Sequence, residues 1–304
     1  FEEYLLKSAD TKDNILYLWQ NENTVVIGRN QNPWKECNLK TLKKNKGKIV
    51  RRLSGGGAVY HDLGNLNFTF ISKESENRIR KNVKIIIKAL NELNIDAYFS
   101  GKNDILVDGY KISGNAFLTK DGLLCHHGTL LVDTNIERMI EVLNVSKVKL
   151  KSKGIDSVKS RITNLVDIKK NLNISTLKDS LIKNFCNKKD NKICFIDKKT
   201  ETNLENLIKR YNSWDWNFGS SPQFDINFNK RFLWGEVDIN LSVEDGVISN
   251  VKVYTDSNNP NFSKDIESIL MGVKFEKKAL LEELEKLEDK NKANILNWFK
   301  GISI

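Results

Sequence analysis

The sequence predicts an α+β protein: a large domain of mixed β-sheets with flanking helices, then a small α/β C-terminal domain. Three observations lead there. Short strand-like runs with tight turns fill the first third, amphipathic helical patterns dominate the middle, and a ββαα pattern closes the chain. Between the last two lies Trp214–Pro222, with two Trp and a Gly-Ser-Ser-Pro bend, which sets the expected domains at 1–220 and 221–304. A chain of 304 residues can bury two such cores without disulfide staples.

The elements follow in order. Ile15–Trp19 and Thr24–Ile27 are apolar β-type runs around the polar stretch Gln20–Asn23, and read as a hairpin. Ile49–Val50 and Ala58–Tyr60 flank Arg51-Arg52-Leu53-Ser54-Gly55-Gly56-Gly57, and Asn67–Ile71 alternates as a half-buried strand does. Val83, Ile86, Ile87, Leu90 and Leu93 recur at helical spacing and predict a helix from Arg78 to Leu93. Strands are expected at Ala97–Phe99, Ile105–Val107, Lys111–Ile112, Asn115–Thr119 and Gly128–Val132, with Asp108-Gly109 and Asp121-Gly122 as hairpin turns. From Ile136 to about Tyr211 the pattern is mainly helical, with polar connections at Lys188–Lys192. The second β unit comprises Arg231–Leu241, a turn at Asp245-Gly246, and Val247–Tyr254. Helices at Phe262–Met271 and Lys277–Phe299 complete the chain.

Composition narrows the function classes. No apolar run approaches the roughly 18 residues of a membrane span, so no membrane partner is expected. The four Cys (Cys37, Cys125, Cys186, Cys194) form no CxxC pair, which disfavours a zinc module or disulfide scaffold and fits reduced thiols. The net charge of +10 comes almost wholly from Lys, with only nine Arg, whereas a sequence-reading nucleic-acid binder leans on Arg. No nucleic-acid partner is expected. Two basic clusters, Lys40–Arg52 and Lys147–Lys153, suit a nucleotide or an acidic protein instead.

Three constellations bear on chemistry. Three successive glycines cost backbone entropy and contribute no packing, so Gly55–Gly57 marks a bulge or a close approach of backbone to ligand. Arg51, Arg52 and Ser54 add charge and a hydroxyl, but the Gly-Lys-Ser/Thr ending of a Walker loop is absent. Second, Gly101-Lys102-Asn103-Asp104 and Lys111-Ile112-Ser113-Gly114-Asn115-Ala116 lie one short hairpin apart, which brings Asp104 toward Lys111. Ser113 and Gly114 leave room and polarity beside that lysine, and a Lys in a water-poor cleft stabilises developing negative charge. Third, in Cys125-His126-His127-Gly128-Thr129 the two His of one strand must face opposite ways. A Cys125/His126 dyad is geometrically poor for the same reason, and no metal-ligand spacing surrounds the pair.

These residues resemble a known family. Arg51–Asn65 resembles the RR-x-SGGGAV-(F/Y)-HD-x-GN signature of lipoate–protein ligases. Lys111–Ala116 resembles their K-(I/V)-SG-(N/S)-A segment with its essential lysine, and His126–Leu131 their HHGTLL strand. Lys159–Leu165 is similar to their SRVTNL segment, and the likeness continues through Trp214–Pro222 and Val253–Asn259. One departure stands out: the family begins with a strand before the helix that Phe1–Leu6 would open, and that strand is expected to precede Phe1.

The resemblance implies a biotin/lipoate ligase-like fold and a two-step reaction. ATP with Mg²⁺ activates lipoate to lipoyl-AMP, and the lipoyl group passes to a lysine of a lipoyl domain. Acceptors would be 2-oxoacid dehydrogenase E2 subunits or the glycine-cleavage H protein. By motif, Lys111 would bridge carboxylate and α-phosphate as the catalytic residue. Arg52, Ser54, Gly55, Gly56, Gly57, Ala58, His61, His127 and Gly128 would line the lipoyl pocket. Asn103, Asp104, Lys111, Ser113, Gly114 and Thr129 would serve the nucleotide, with Asp104 also a ligand for Mg²⁺. The small domain would move between the half-reactions. A monomer is expected, in a bacterial cytoplasm by default or a mitochondrial matrix otherwise. The competing functions are an octanoyl/lipoyl carrier-protein acyltransferase, disfavoured because no Cys sits in a recognisable acyltransferase motif, and a non-catalytic lipoate-binding regulator.

Overall fold

The computed structural model describes residues 1–101, 103–144, 161–186, 192–196, 204–218, 226–244 and 246–302. Lys102, the second basic cluster at 147–153, Lys159-Ser160, the connection at 188–191, the bend at 219–222 and Asp245 lie outside these residues. The chain divides into two compact units. One comprises Phe1–Val26, Trp34–Arg51 and Ala58–Asn217; the other comprises Ile27–Pro33, Arg52–Gly57 and Phe218–Ile304.

The first unit is organised by a six-stranded sheet. Its strands are β1 (Asn14–Trp19), β5 (Asn65–Lys73), β6 (Ala97–Phe99), β7 (Asp104–Val107), β8 (Tyr110–Lys120) and β9 (Leu123–Leu131), in the order β1-β5-β9-β8-β7-β6. Every neighbouring pair is antiparallel. The two predicted hairpin turns form, and in each both residues take positive φ: Asp108 49° and Gly109 81°, Asp121 52° and Gly122 75°. This is the left-handed pair that matches strand twist. The predicted hairpin at residues 15–27 does not form. β1 pairs with β5 from Asn14↔Ser72 to Trp19↔Asn67, whereas β2 (Thr24–Ile27) enters a second sheet between β3 (Lys48–Arg51) and β4 (Val59–His61). Each strand gains more apolar cover on a wide sheet than in an isolated ribbon, which is marginal in water.

One face of the large sheet is apolar. Leu66, Phe68 and Phe70 of β5 meet Val83, Ile86 and Leu90 from the helix Arg78–Glu92, and Leu177 and Leu181 from the helix Ile174–Phe185. The other face carries Ile71, Leu123 and Cys125 with Leu6 of the short helix Glu2–Ser8. Of the mainly helical stretch after Ile136, the described residues contain helices Ile136–Val142, Leu165–Ile168, Ile174–Phe185 and Glu205–Asn212, and none at 192–196.

The second unit holds a three-stranded antiparallel sheet, β10 (Ile226–Phe232), β11 (Gly235–Glu244) and β12 (Val247–Thr255). The single strand expected at 231–241 is thus two, turning at Leu233-Trp234. The helix Phe262–Leu270 forms as expected, but the long helix at 277–299 is two, Lys277–Leu284 and Lys292–Lys300. Asp289 makes the break: its Oδ1 accepts the Asn291 N–H (2.7 Å) and its Oδ2 accepts from Asn259 (2.7 Å). Doubling back lets Leu280, Leu284 and Leu287 share one core with Ile295, Trp298 and Phe299, which a straight helix would spread apart. Phe299 is 1% exposed in that core. Phe299→Ala is expected to lower stability by about 3–5 kcal/mol. Urea unfolding checks this, and an unchanged midpoint would contradict the packing.

Candidate functional site

In the first unit the site follows from strand alternation. Opposed residues of antiparallel strands share a face, so Thr69↔His127 and Asn67↔Thr129 project to the side opposite Phe70↔His126 and Phe68↔Gly128. His126 is completely buried among Phe68, Phe70 and Phe117. Its Nε2 lies 2.8 Å from Asn115 Oδ1, and burial, then the neighbouring His127 charge, holds its pKa down to about 3. It is a neutral packing residue. His127 points the other way, with Nδ1 2.9 Å from Glu2 Oε1.

Glu2 anchors a chain of polar contacts on that face. The Thr69 hydroxyl donates to Glu2 Oε1 (2.5 Å), and Trp19 Nε1 donates to Thr69 Oγ1 (3.1 Å). The Trp19 ring meets the His61 ring edge-on at 5.6 Å, and His61 Nδ1 contacts Asn21 Nδ2 at 3.3 Å. Burial alone would raise the Glu2 carboxyl. The His127 charge and hydrogen bond, with the Thr69 hydroxyl, outweigh it and hold the pKa near about 2. The two predicted histidines, His61 and His127, are therefore joined through Trp19, Thr69 and Glu2. None of those three was singled out from sequence; the polar Asn67 and Thr69 alternating within an otherwise apolar strand were the available signal.

Two residues further along β9 comes Thr129, and near it, across Gly114 of β8, lies Lys111. Its Nζ lies 2.8 Å from Asp104 Oδ1, the juxtaposition the hairpin spacing predicts. A bulge in β8, where pairing with β7 shifts between Ile105 and Leu106, sets the lysine there. β8 also changes neighbour at this point. Asn115–Lys120 pair with β9, whereas beside Lys111 the segment 161–163 takes that place: Lys111 N–H donates to Arg161 O (2.8 Å) and Thr163 N–H to Lys111 O (3.2 Å). The sheet forks, and the ammonium group lies over the fork. A Cβ on Gly114 would come within 3.1 Å of Lys111 Nζ, so the bare glycine gives the lysine its path. The Gly114 N–H donates to Thr129 Oγ1 (3.3 Å).

The remaining predicted residues divide. Asn103 offers its carbonyl to the Asn115 N–H (2.8 Å) and side chain (3.0 Å). Ser113 is fully buried and accepts from Asn115 (3.4 Å), so Gly114 is the residue that borders the ammonium. Gly128 makes room for a ring, since a Cβ there would sit 2.5 Å from Phe68 Cζ. Arg161, whose residue type and position carry no local signal of a role, ion-pairs with Asp104 Oδ2.

The glycine loop lies in the second unit. Arg52 Nε donates to Ser54 Oγ (3.0 Å), and its Nη2 donates to Gly55 O (2.6 Å) and Gly57 O (2.8 Å), so the guanidinium caps its own loop. The Gly56 N–H donates to Ser257 O (3.2 Å), and a Cβ on Gly55 would be 2.3 Å from that same oxygen. The close approach at this loop is thus to the protein's own backbone at Ser257 and Asn258. Arg51 differs from Arg52. It is buried in the first unit, where its guanidinium donates to the carbonyls of Trp216 (3.0 Å) and Asn217 (2.9 Å). Ala58 follows the loop, half-buried, where the chain re-enters the first unit.

Two places offer ligand atoms that a metal could use. Among the described residues, Glu2, Cys125 and His127 bring ligand atoms within 4.8 Å of one another. Burial, then the Glu2 charge, pushes the Cys125 thiol well above its ordinary pKa, so it stays protonated and suits neither metal ligation nor nucleophilic attack. Asp104 has a cation on each oxygen, a poor fit to magnesium unless nucleotide phosphates complete the shell. The ionised Glu2 and neutral His126 make stability fall with acid. His126 acts as the unfolded chain takes up a proton below 6.5, until the folded pKa near 3 is passed. Glu2, lowered from 4.5 to about 2, stabilises fully above the first value and loses its contribution as pH falls through the second. Glu2→Gln is expected to flatten the lower step and keep the upper. Urea midpoints at stepped pH check this, and an unchanged lower step would refute the pairing.

Comparison with known proteins agrees along the whole chain. Residues 1–186 match the family described as Lipoyl protein ligase A/B catalytic domain, and residues 221–299 match Bacterial lipoate protein ligase C-terminus. The chain is 38% identical over 310 residues to lipoate-protein ligase LplJ of Bacillus subtilis, covering 99% of this chain and 92% of that one. The crystal structure of P. falciparum LipL1 in complex with lipoate superposes with a TM-score of 0.84 at 31% identity, covering 98% of this chain and 94% of its own. Lipoate-protein ligase A bound with ATP gives 0.62 at 28% identity, over 72% and 91%. The chain belongs to the lipoate–protein ligase family.

Proposed function

We propose that this enzyme activates lipoate with ATP and transfers the lipoyl group to a lysine of an apo lipoyl domain. In the first step a lipoate carboxylate oxygen attacks the α-phosphorus while the bond to pyrophosphate breaks. In the second, the acceptor amine attacks the mixed-anhydride carbonyl, forming the amide and releasing AMP. The observation that carries this reading is the Lys111 ammonium, set over bare Gly114 where the sheet forks and only a quarter exposed. A cation so placed stabilises charge that develops on carboxylate and phosphoryl oxygens, and more strongly than it would in bulk water. The lipoate-bound and ATP-bound relatives support the two substrates. Mg²⁺ bound with ATP would neutralise phosphate charge, and Asp104 is the residue that would hold it once nucleotide phosphates complete the shell.

The other assignments follow the family motifs position by position. His61, His127 and Gly128, with Arg52, Ser54, Gly55, Gly56, Gly57 and Ala58, serve the lipoyl group. Asn103, Asp104, Ser113, Gly114 and Thr129 serve the nucleotide. The Glu2–Thr69–Trp19 chain supports this by fixing the rings of His127 and His61. Residues 221–304 serve as the accessory domain that moves between the two half-reactions, and exclusion of water would protect the adenylate from hydrolysis. The acceptors are E2 lipoyl domains and the glycine-cleavage H protein. A monomer in a bacterial cytoplasm, or in a mitochondrial matrix if the source is eukaryotic, is the setting this reading implies. Among the described residues no helix is long and apolar enough to cross a membrane. Burial keeps the Cys125 thiol protonated, which disfavours that cysteine as the nucleophile of an acyltransferase.

Incubation with lipoate, Mg²⁺-ATP and an apo lipoyl domain should add one lipoyl mass to the acceptor and release pyrophosphate only when lipoate is present. Neither event occurring would sink the proposal. Lys111→Ala should slow adenylation roughly 100-fold or more, the scale of losing one preorganised charge; a normal rate would make the lysine a bystander. Lys40, Lys43, Lys44, Lys46 and Lys48 are all exposed and suit an acidic acceptor domain. Acceptor KM should therefore rise with ionic strength, and a salt-independent value would remove that role.

A further inference from the structure

Asp104 is 6% exposed and holds two cations, Lys111 on Oδ1 at 2.8 Å and Arg161 on Oδ2. The two cations are also main-chain neighbours, joined by the Lys111 N–H to the Arg161 carbonyl at the fork of the sheet. The triad sums to one positive charge, which one phosphodiester or one carboxylate would neutralise. An incoming anion has to draw the lysine off Asp104, and a buried carboxylate stripped of its cation is costly. Arg161 removes that obstacle, because its planar fork stays charged and keeps hold of the other oxygen. We infer that Arg161 is a positioning residue for Lys111: it holds the charge of Asp104 while the ammonium turns from Asp104 to the reacting anion. The inference rests on the ligase reading for what the anion is, and on geometry alone for the sharing of Asp104.

Two readouts keep those apart. The first needs no turnover: trace labelling of the full-length protein with acetic anhydride, scoring Lys111 against the exposed Lys120 by peptide mass. Arg161→Gln shifts the pairing of Asp104 toward Lys111 and should slow its relative labelling roughly five-fold, while Arg161→Lys should restore most of it. The second is lipoate-dependent pyrophosphate release. There Arg161→Gln should lower kcat about ten-fold or more with little change in lipoate KM, and lose most of that effect in an Asp104→Asn background. Unchanged labelling in Arg161→Gln would overturn the inference. So would a kcat loss of full size in the Asp104→Asn background, since Arg161 would then act on the substrate directly. If the wild type releases no pyrophosphate, the ligase reading fails, and labelling still decides the role of Arg161. Should Arg161→Gln fail to fold, Arg161→Lys set against Asp104→Asn by labelling decides it. Arg161→Lys should then label Lys111 much as the wild type does and Asp104→Asn should speed its labelling; a strong loss in Arg161→Lys, or no change in Asp104→Asn, would refute the sharing.

Discussion

The register between β5 and β9 is the constraint on which the first unit depends. Nine residue pairs, Asn65↔Leu131 to Lys73↔Leu123, fix the facing of every side chain across the centre of the sheet. A slip by one would exchange the faces. His126 would leave its aromatic cage, and His127 would enter an apolar core away from Glu2. Phe68 would lose the space that Gly128 leaves for its ring. The chemistry of the site is thus a consequence of pairing before it is a consequence of any particular side chain.

On that face, charge is managed by sharing. Glu2 is compensated by a histidine and a hydroxyl, and Asp104 by a lysine and an arginine. In both places a carboxylate with little exposure has at least two partners, so one can be disturbed without stranding the carboxylate. A single buried ion pair has no such reserve, because breaking it leaves an uncompensated charge. The glycine loop of the second unit is ordered differently, by Arg52 folding onto the carbonyls of its own turn.

How much of this was legible in the sequence depended on distance along the chain. Asp104 and Lys111 are separated by one tight turn whose Asp-Gly pair dictates its own geometry, so their meeting could be read directly. The opposed facing of His126 and His127 needed only the period of a strand. Arg161 reaches Asp104 across more than fifty residues, and no local pattern encodes that. The Gln20–Asn23 stretch looks the same whether its flanking strands pair with each other or with distant partners, and here they take distant ones. Leu233-Trp234 turns without proline, asparagine or glycine at its centre, so it read as strand. Leu287 continues the helical spacing of Leu280 and Leu284 past the point where the helix ends, which hid the break.

The contact of Gly55 with Ser257 joins residues two hundred positions apart into one compact unit, and other bonds do the same. The Thr255 N–H donates to Asn30 O (2.6 Å), and Asn30 Nδ2 to Pro260 O (3.0 Å). The architecture is therefore interleaved and not serial. A gene cut at residue 220 would yield an N-terminal fragment with two segments lacking their packing surface, and a C-terminal fragment lacking the strips that cover residues 255–260. The two fragments would have to associate to complete that folding unit. Evolutionary exchange of the accessory domain alone would meet the same obstacle, since a new partner must fit the glycine loop it receives.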